Sequence, residues 1–236
     1  MKYGKIIEGK FISRPNRFIA MVEIEGREEV VHVKNTGRCR ELLVPGATVY
    51  LEDSENPSRK TRYDLIAVQK GDLLINMDSQ APNKIFYEWA STSGFFGNIT
   101  LLKPEHTYRN SRFDCYIESS DGRKILVEVK GVTLEEGGVV KFPDAPTERG
   151  IKHLCELSEA VAEGYEAYIF FIIQMSPVHH FEPNEERHPE FAETLRNAEK
   201  SGVKIHALDC RVEAHEIEAK KFIEVRLHRT ETALRT

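Results

Sequence analysis

The chain has little cysteine, almost no tryptophan and no excess of positive charge. Its 236 residues include four cysteines and one tryptophan. Cys39, Cys115, Cys155 and Cys210 stand far apart with no Cys-x-x-Cys pair, which argues against a zinc ribbon or a disulfide framework. They read as reduced, mostly buried thiols, and a cytoplasmic location is expected. No apolar run approaches the length of a bilayer span, so no membrane association is expected. The opening Met1-Lys2-Tyr3-Gly4-Lys5 leads into a strand-like segment rather than a signal peptide. The formal net charge is −5, so the chain as a whole does not advertise a polyanionic partner. The charge is uneven, however: residues 1–81 carry a net +1 and the remainder −6. That split leaves room for a basic face on the first part and a bound cation on the second.

What is present divides at Asp78-Ser79-Gln80-Ala81-Pro82-Asn83, the expected boundary between a unit at 1–81 and one at 82–236. The first unit is strand-rich. Alternation and turn residues predict strands at Lys5–Ile12, Arg17–Ile24, Glu29–Val33, Thr48–Glu52 and Arg62–Gln69. Five short strands in this length fit an OB-type barrel. Thr36 is placed to cap a short helix ending near Pro45-Gly46. In the second unit Asn83 is placed to cap a helix to about Thr92, with Ile85, Phe86 and Trp89 on its apolar side. A loop from Gly137-Gly138 to Ala145 precedes a helix from Thr147 to Glu163, closed by Gly164, with Ile151, Leu154, Leu157 and Val161 as its core stripe. Ala167–Ile173 reads as a strand buried on both faces. Phe191–Lys200 reads as a helix and Val203–Leu208 as a further strand. Helices alternating with strands after a hairpin define a mixed α/β sheet.

The chemistry gathers in Arg112-Phe113-Asp114 and Val127-Glu128-Val129-Lys130. Ile125, Val127 and Val129 point to one face of a strand, and Leu126, Glu128 and Lys130 to the other. Phe113, Cys115 and Ile117 form the apolar half of the preceding strand, with Asp114 and Tyr116 opposing them. Ser119-Ser120-Asp121-Gly122 reads as the turn. An odd-numbered loop centred on Asp121 puts Asp114 directly across from Glu128. A two-residue Asp121-Gly122 turn puts it across from Val129 instead. Like charges directly opposite destabilise a sheet, and a bound cation reverses the sign. Taken alone, Glu128 and Lys130 also fit an ordinary solvated strand face.

The acid followed by acid-x-lysine on adjoining strands, with a helix packing behind, resembles the PD-(D/E)xK nuclease-like fold. A wider resemblance covers nearly the whole chain. It rests on Asn35-Thr36-Gly37-Arg38, Ser111-Arg112-Phe113-Asp114, Val127 through Leu134, Phe142-Pro143-Asp144-Ala145 and Thr147 through Leu154. In these segments the chain resembles the sugar fermentation stimulation protein (SfsA) family. That resemblance implies a DNA-binding protein with an OB-like N-terminal barrel and a PD-(D/E)xK nuclease-like α/β domain. It implies Mg²⁺ or Mn²⁺ held by Asp114 and Glu128, with the Val129 carbonyl completing the coordination and Lys130 at the phosphate or water. Glu88 on the preceding helix is a further acid candidate, and Glu105 a weaker one. Each also fits an exposed carboxylate. His188-Pro189 stands where the family has Asp-Pro, so residue 188 is not counted as an acidic ligand.

Around this trio, Arg149 and His153 are four apart on one helix face. With Asp144 before them, they are placed to meet a phosphate or a carboxylate. Capping and surface charge is the plainer alternative. His179-His180 reads as loop. On the barrel, Lys34, Arg38 and Arg40 beside the Asn35-Thr36-Gly37 turn, with Arg14 and Arg17 in another loop, are the candidate DNA contacts. A basic edge packing on the acidic second unit is the alternative for Lys34 and Arg38. Phe18 and Tyr50 are expected in the core, with base stacking the other role open to them. Three functions compete: a metal-dependent nuclease, a DNA-binding protein that uses the same residues without turnover, and a small-molecule phosphohydrolase, for which no residue argues specifically.

Overall fold

The computed structural model describes residues 1–35 and 37–228. The cap expected at Thr36 lies outside the described residues. Five strands form the first unit: β1 (Lys5–Ser13), β2 (Ile19–Ile24), β3 (Arg27–Val33), β4 (Thr48–Asp53) and β5 (Tyr63–Lys70). They pair in the order β3-β2-β1-β4-β5, and a parallel contact of β3 with β5 at His32↔Asp64 and Val33↔Leu65 closes the barrel. Alternation along β2 and β4 buries Ala20, Val22, Val49 and Leu51 beside Val31 of β3, and a register shift between β4 and β5 lets both Leu65 and Val68 join them. β1 runs so close to β2 that a Cβ on Gly9 would come 2.5 Å from the Val22 side chain. A sixth strand, β6 (Leu73–Asn76), adds to β5 and leads out of the barrel. The helix expected before Pro45-Gly46 is a single turn, with the Leu42 and Leu43 amides donating to the Cys39 carbonyl.

The second unit opens with α1 (Ala81–Thr92). Pro82 occupies its first turn and Gln80 the cap position, so Asn83 lies inside the helix rather than capping it. There follow β7 (Ile99–Tyr108), β8 (Ser111–Ser119), β9 (Lys124–Val132), β10 (Leu134–Glu136), β11 (Val139–Phe142), α2 (Glu148–Ala162), β12 (Glu166–Ile173), β13 (His180–Pro183), α3 (Pro189–Lys200), β14 (Lys204–Glu213) and β15 (Glu216–Val225). These strands make one mixed sheet ordered β10-β11-β13-β15-β14-β12-β9-β8-β7. At its centre β9, β12 and β14 are parallel, and seven of the eight residues of β12 are buried. Ile85 and Phe86 of α1 cover one face with Val127, Val129, Phe170 and Ile172. Leu154 and Leu157 of α2 and Phe191 and Leu195 of α3 cover the other with Leu126, Ile169 and Phe171.

Two expectations are corrected here. The segment after Gly137-Gly138 is not all loop: Glu136↔Val139 pairing leaves both glycines, at φ 59° and 85°, as the two-residue turn of the β10–β11 hairpin. His180 is not in a loop either, since it opens β13 and is buried beside Glu182. The remaining fold class is as the alternation and helix periods imply: an OB-like barrel followed by a mixed-sheet α/β domain.

The two units share a buried polar seam. The Gln174 amide donates to Asn76 Oδ1 at 2.9 Å and to the Asp78 carbonyl at 3.0 Å, and Asn76 donates to Tyr3 Oη at 2.8 Å. Gly131 packs so closely on Gln174 and Pro82 that an added Cβ would lie 2.6 Å from each. The strand end after Lys130 is therefore fixed against the barrel side of the molecule.

Candidate metal centre and nucleic-acid interface

The turn between β8 and β9 decides the register. Cys115 pairs with Val127 and Ile117 with Ile125, so the next step of the ladder sets Asp114 opposite Glu128. The Gly122 amide donates to the Ser119 carbonyl and the Ser119 amide to the Arg123 carbonyl, which makes the longer turn rather than a two-residue one. Beyond Cys115 strand β8 leaves β9. Phe113 swings to the α2 side, its ring 5.6 Å from that of His153, and so departs from the apolar row of Cys115 and Ile117. The Val129 amide, facing the β8 edge, donates to Asp114 Oδ2 at 2.8 Å. Its carbonyl points to the same edge, because a strand residue turns both backbone groups one way.

Asp114 is held from α1. Asn83 donates to its Oδ1 at 2.9 Å, and the Tyr87 hydroxyl to its backbone carbonyl. Burial and then the neighbouring charge of Glu128 push the Asp114 carboxyl above the usual range. Glu128 is 2% exposed. Burial opposes its ionisation, yet the hydrogen bond from His153 and the Lys130 ammonium outweigh it and hold its carboxyl low. Its Oε1 takes His153 Nδ1 at 2.5 Å and Lys130 Nζ. Arg149 Nε donates to His153 Nε2 at 3.4 Å, which assigns the ring hydrogen to Nδ1 and makes His153 the donor to Glu128. The other oxygen, Glu128 Oε2, is buried with no hydrogen-bond partner.

An unpartnered buried carboxylate oxygen is costly unless something answers it. Here it lies with a second carboxylate and a strand carbonyl, an all-oxygen donor set of the kind hard divalent cations take. The residues present fit such an ion. If His153 orients Glu128 for a cation, His153→Ala weakens Ca²⁺ or Mn²⁺ binding about 10–100-fold. His153→Asn, whose amide nitrogen can stand near Nδ1, recovers most of that loss; isothermal titration reads both.

The remaining expected residues separate. Glu88 does not join the carboxylates: it lies one position past Tyr87, is 60% exposed, and takes the N-terminal ammonium of Met1 at 2.5 Å. Glu105 pairs with Arg112 at 3.5 Å on the exposed β7–β8 ribbon. Asp144 is exposed and reaches the barrel instead, its Oδ2 being 2.9 Å from where a Gly37 Cβ would sit. Arg149 and His153 do share a face, and His153 is buried against the sheet. Asn83 and Tyr87 had no role in the site by sequence; their i, i+4 spacing on α1 was the only signal. Among the described residues Glu148, His188 and Glu190 also converge. There His188 Nδ1 accepts the Thr147 amide at 3.3 Å, so neutral His188 turns a hydrogen, not a lone pair, toward the carboxylates.

On the barrel, Lys34 is not at the open face. Its ammonium lies 3.3 Å from Glu52, 3.5 Å from Asp78 and 3.8 Å from Asp64. Arg14 is a staple, donating to the carbonyls of Asn35, Gly37, Arg38 and Arg17 at 2.6–2.8 Å. Arg17, Arg38 and Arg40 are exposed and form no ion pair among the described residues. Tyr50 packs against the core, but Phe18 is 56% exposed, contrary to its expected burial.

A closed OB barrel set on a mixed sheet that carries two carboxylates and a lysine at one strand edge defines a two-unit protein, an OB-like barrel joined to a mixed α/β domain. The chain belongs to the sugar fermentation stimulation protein (SfsA) family. Residues 80–216 match the family model described as the sugar fermentation stimulation protein RE domain, and residues 12–77 that of the SfsA N-terminal OB domain. A sugar fermentation stimulation protein homolog of Desulfitobacterium hafniense is 63% identical over 227 residues, covering 96% of this chain and 99% of that one. One from Clostridium beijerinckii is 57% identical, covering 95% and 99%. The solved structure of Pyrococcus furiosus SfsA in complex with Ca²⁺ superposes with a TM-score of 0.86 at 31% identity, covering 96% of this chain and 98% of that one. No helix among the described residues is long and apolar enough to cross a membrane.

Proposed function

We propose that this protein binds DNA and holds a divalent cation, Mg²⁺ or Mn²⁺ in use, between Asp114, Glu128 and the Val129 carbonyl, and that it hydrolyses phosphodiesters there. The observation that carries the reading is Glu128 Oε2, buried and unpartnered beside a second carboxylate whose ionisation that charge opposes. A Ca²⁺ complex of a family member at 31% identity supports an ion in this fold. A bound cation supplies charge neutralisation at a phosphate and acidifies water. The chain's own part is placement. Asn83, Tyr87 and the Val129 amide fix Asp114; His153 and Lys130 fix Glu128. Lys130, 17% exposed, directly precedes Gly131 of the cleft wall, and its ammonium is the group we assign to a phosphate oxygen.

A second reading, DNA binding without turnover, is favoured by one observation. Lys130 rests on Glu128 itself, so its ammonium already balances the Glu128 charge without an ion. Incubating single- and double-stranded DNA with the protein, with and without Mn²⁺, separates the two. Metal-dependent cleavage lost in both Glu128→Ala and Lys130→Ala is the expected result. Salt-sensitive binding with no cleavage under any metal leaves the binding reading.

A further inference from the structure

Between the barrel and the sheet runs a cleft of about 480 Å³. One wall is the barrel loop with Arg17, Asn35 and Arg38; the other is Gly131–Leu134 and the loop from Phe142 to Thr147. Gly131 directly follows Lys130, so the cleft passes the end of the strand that carries the candidate centre. The loop before α2 reaches across to the barrel, where Asp144 meets Gly37. A second hollow of about 330 Å³, lined by Arg14, Arg17, Arg38 and Arg40, continues outward and shares Arg17 and Arg38 with the cleft. The path therefore runs from the unpaired guanidinium groups of Arg17, Arg38 and Arg40 to Gly131, one residue past Lys130. Asp144 is the one carboxylate on its walls among the described residues.

Phe18 directly follows Asn16 and Arg17, which line the outer hollow. At 56% it is the most exposed large apolar side chain among the described residues. The Phe18 amide donates to Asn16 Oδ1 at 2.9 Å and its carbonyl accepts the Val33 amide at 2.8 Å, so its backbone is fixed while its ring stays in solvent. An aromatic ring presented on a rigid loop among free arginines is the arrangement on which unpaired bases stack. A cleft of this volume is in the range that takes a ligand of one or two nucleotides.

We infer that the DNA form taken by this site is a single strand, which stacks on Phe18, lays its phosphates on Arg17, Arg38 and Arg40, and enters the cleft toward Lys130. This rests on the DNA-binding reading above and narrows it. The test is fluorescence anisotropy of the full chain with a labelled single strand and with the matching duplex. The single strand is expected to bind at least about 10-fold more tightly, and Phe18→Ala to weaken it about 10-fold, with Phe18→Trp retaining affinity and the duplex unaffected. Arg17→Ala and Arg38→Ala each lower the salt dependence of single-strand binding by about 0.7 in the log–log slope. Equal or tighter binding of the duplex, or a Phe18→Ala protein that binds the single strand normally, overturns the inference while the DNA-binding reading stands. Binding of neither form overturns both.

Discussion

Glu128→Ala is expected to abolish divalent-cation binding. The two oxygens of Glu128 differ: Oε1 takes His153 and Lys130, and Oε2 is buried without a partner and is the ligand atom of the proposed ion site. Removing both leaves Asp114 and one carbonyl, too few anionic donors for a hard cation. Losing residues that only orient a ligand costs about 10–100-fold, so losing the ligand itself is expected to exceed roughly 100-fold. Titration calorimetry with Ca²⁺ and Mn²⁺ reads this directly. Thermal unfolding gives a second readout. At an ion concentration near 100 times Kd the wild type gains about 2.7 kcal/mol, or roughly 5–10 °C for a chain of this size. Glu128→Ala shows no such rise. Without metal the variant is also less stable, because the Lys130 ammonium and the His153 N–H lose a buried acceptor. Wild-type affinity in Glu128→Ala would place the ion elsewhere.

Lys34→Ala is expected to cost stability rather than DNA affinity. Asp78 is 1% exposed, and Lys34 is the only cation paired with it among the described residues; Tyr3 and the Gln80 amide supply hydrogen bonds. Removing the cation leaves a buried carboxylate uncompensated, a loss of about 3 kcal/mol and roughly 6–12 °C in Tm. Lys34→Ala combined with Asp78→Asn recovers most of it. The pH profile carries the same information. Burial opposes the Lys34 ammonium, but Asp78, Asp64 and Glu52 outweigh it and raise its pKa. That contribution is complete below the ordinary lysine value, about 10.4, and is lost as pH rises through the higher folded value. Asp64 behaves in the opposite sense. Burial opposes its ionisation, while Arg59, His32 and Lys34 hold its carboxyl low. Its contribution is present above about pH 4 and disappears as pH falls through the lower folded value. Wild-type Tm therefore falls on both sides, and the alkaline decline is shallower in Lys34→Ala, with the raised Tyr3, Tyr87 and Lys204 groups supplying what remains. Single-strand affinity close to wild type in the variant separates Lys34 from Arg17 and Arg38; a large loss of binding in a stable Lys34→Ala protein would reverse that assignment.

Much of the site was legible because its grammar is local. Glu128 and Lys130 share a face by strand period, and the turn at Ser119–Gly122 sets the hairpin register. Arg149 and His153 meet because they are four apart on a helix. Strand β12 announced itself by an unbroken apolar run. Strands β7, β13 and β15 did not, since each is largely polar and owes its place to neighbours rather than to its own pattern. Glu88 and Asn83 exchanged roles for a geometric reason. Both lie on α1, but with Pro82 in the first turn the helix presents Asn83 and Tyr87 to Asp114 and turns Glu88 to the N-terminus.

The sequence by itself determined the barrel, the mixed sheet, the acid–acid–lysine hairpin and the helix behind it, because period, turn chemistry and capping act within a few residues. Only the tertiary structure decided which of the charges are free. Lys34 and Arg14 look like Arg17 and Arg38 in a sequence, yet three carboxylates enclose the first and four carbonyls hold the second. A charge is spent or available according to what the fold brings within a few ångströms, and those partners lie up to 44 residues away in the chain in the case of Lys34 and Asp78.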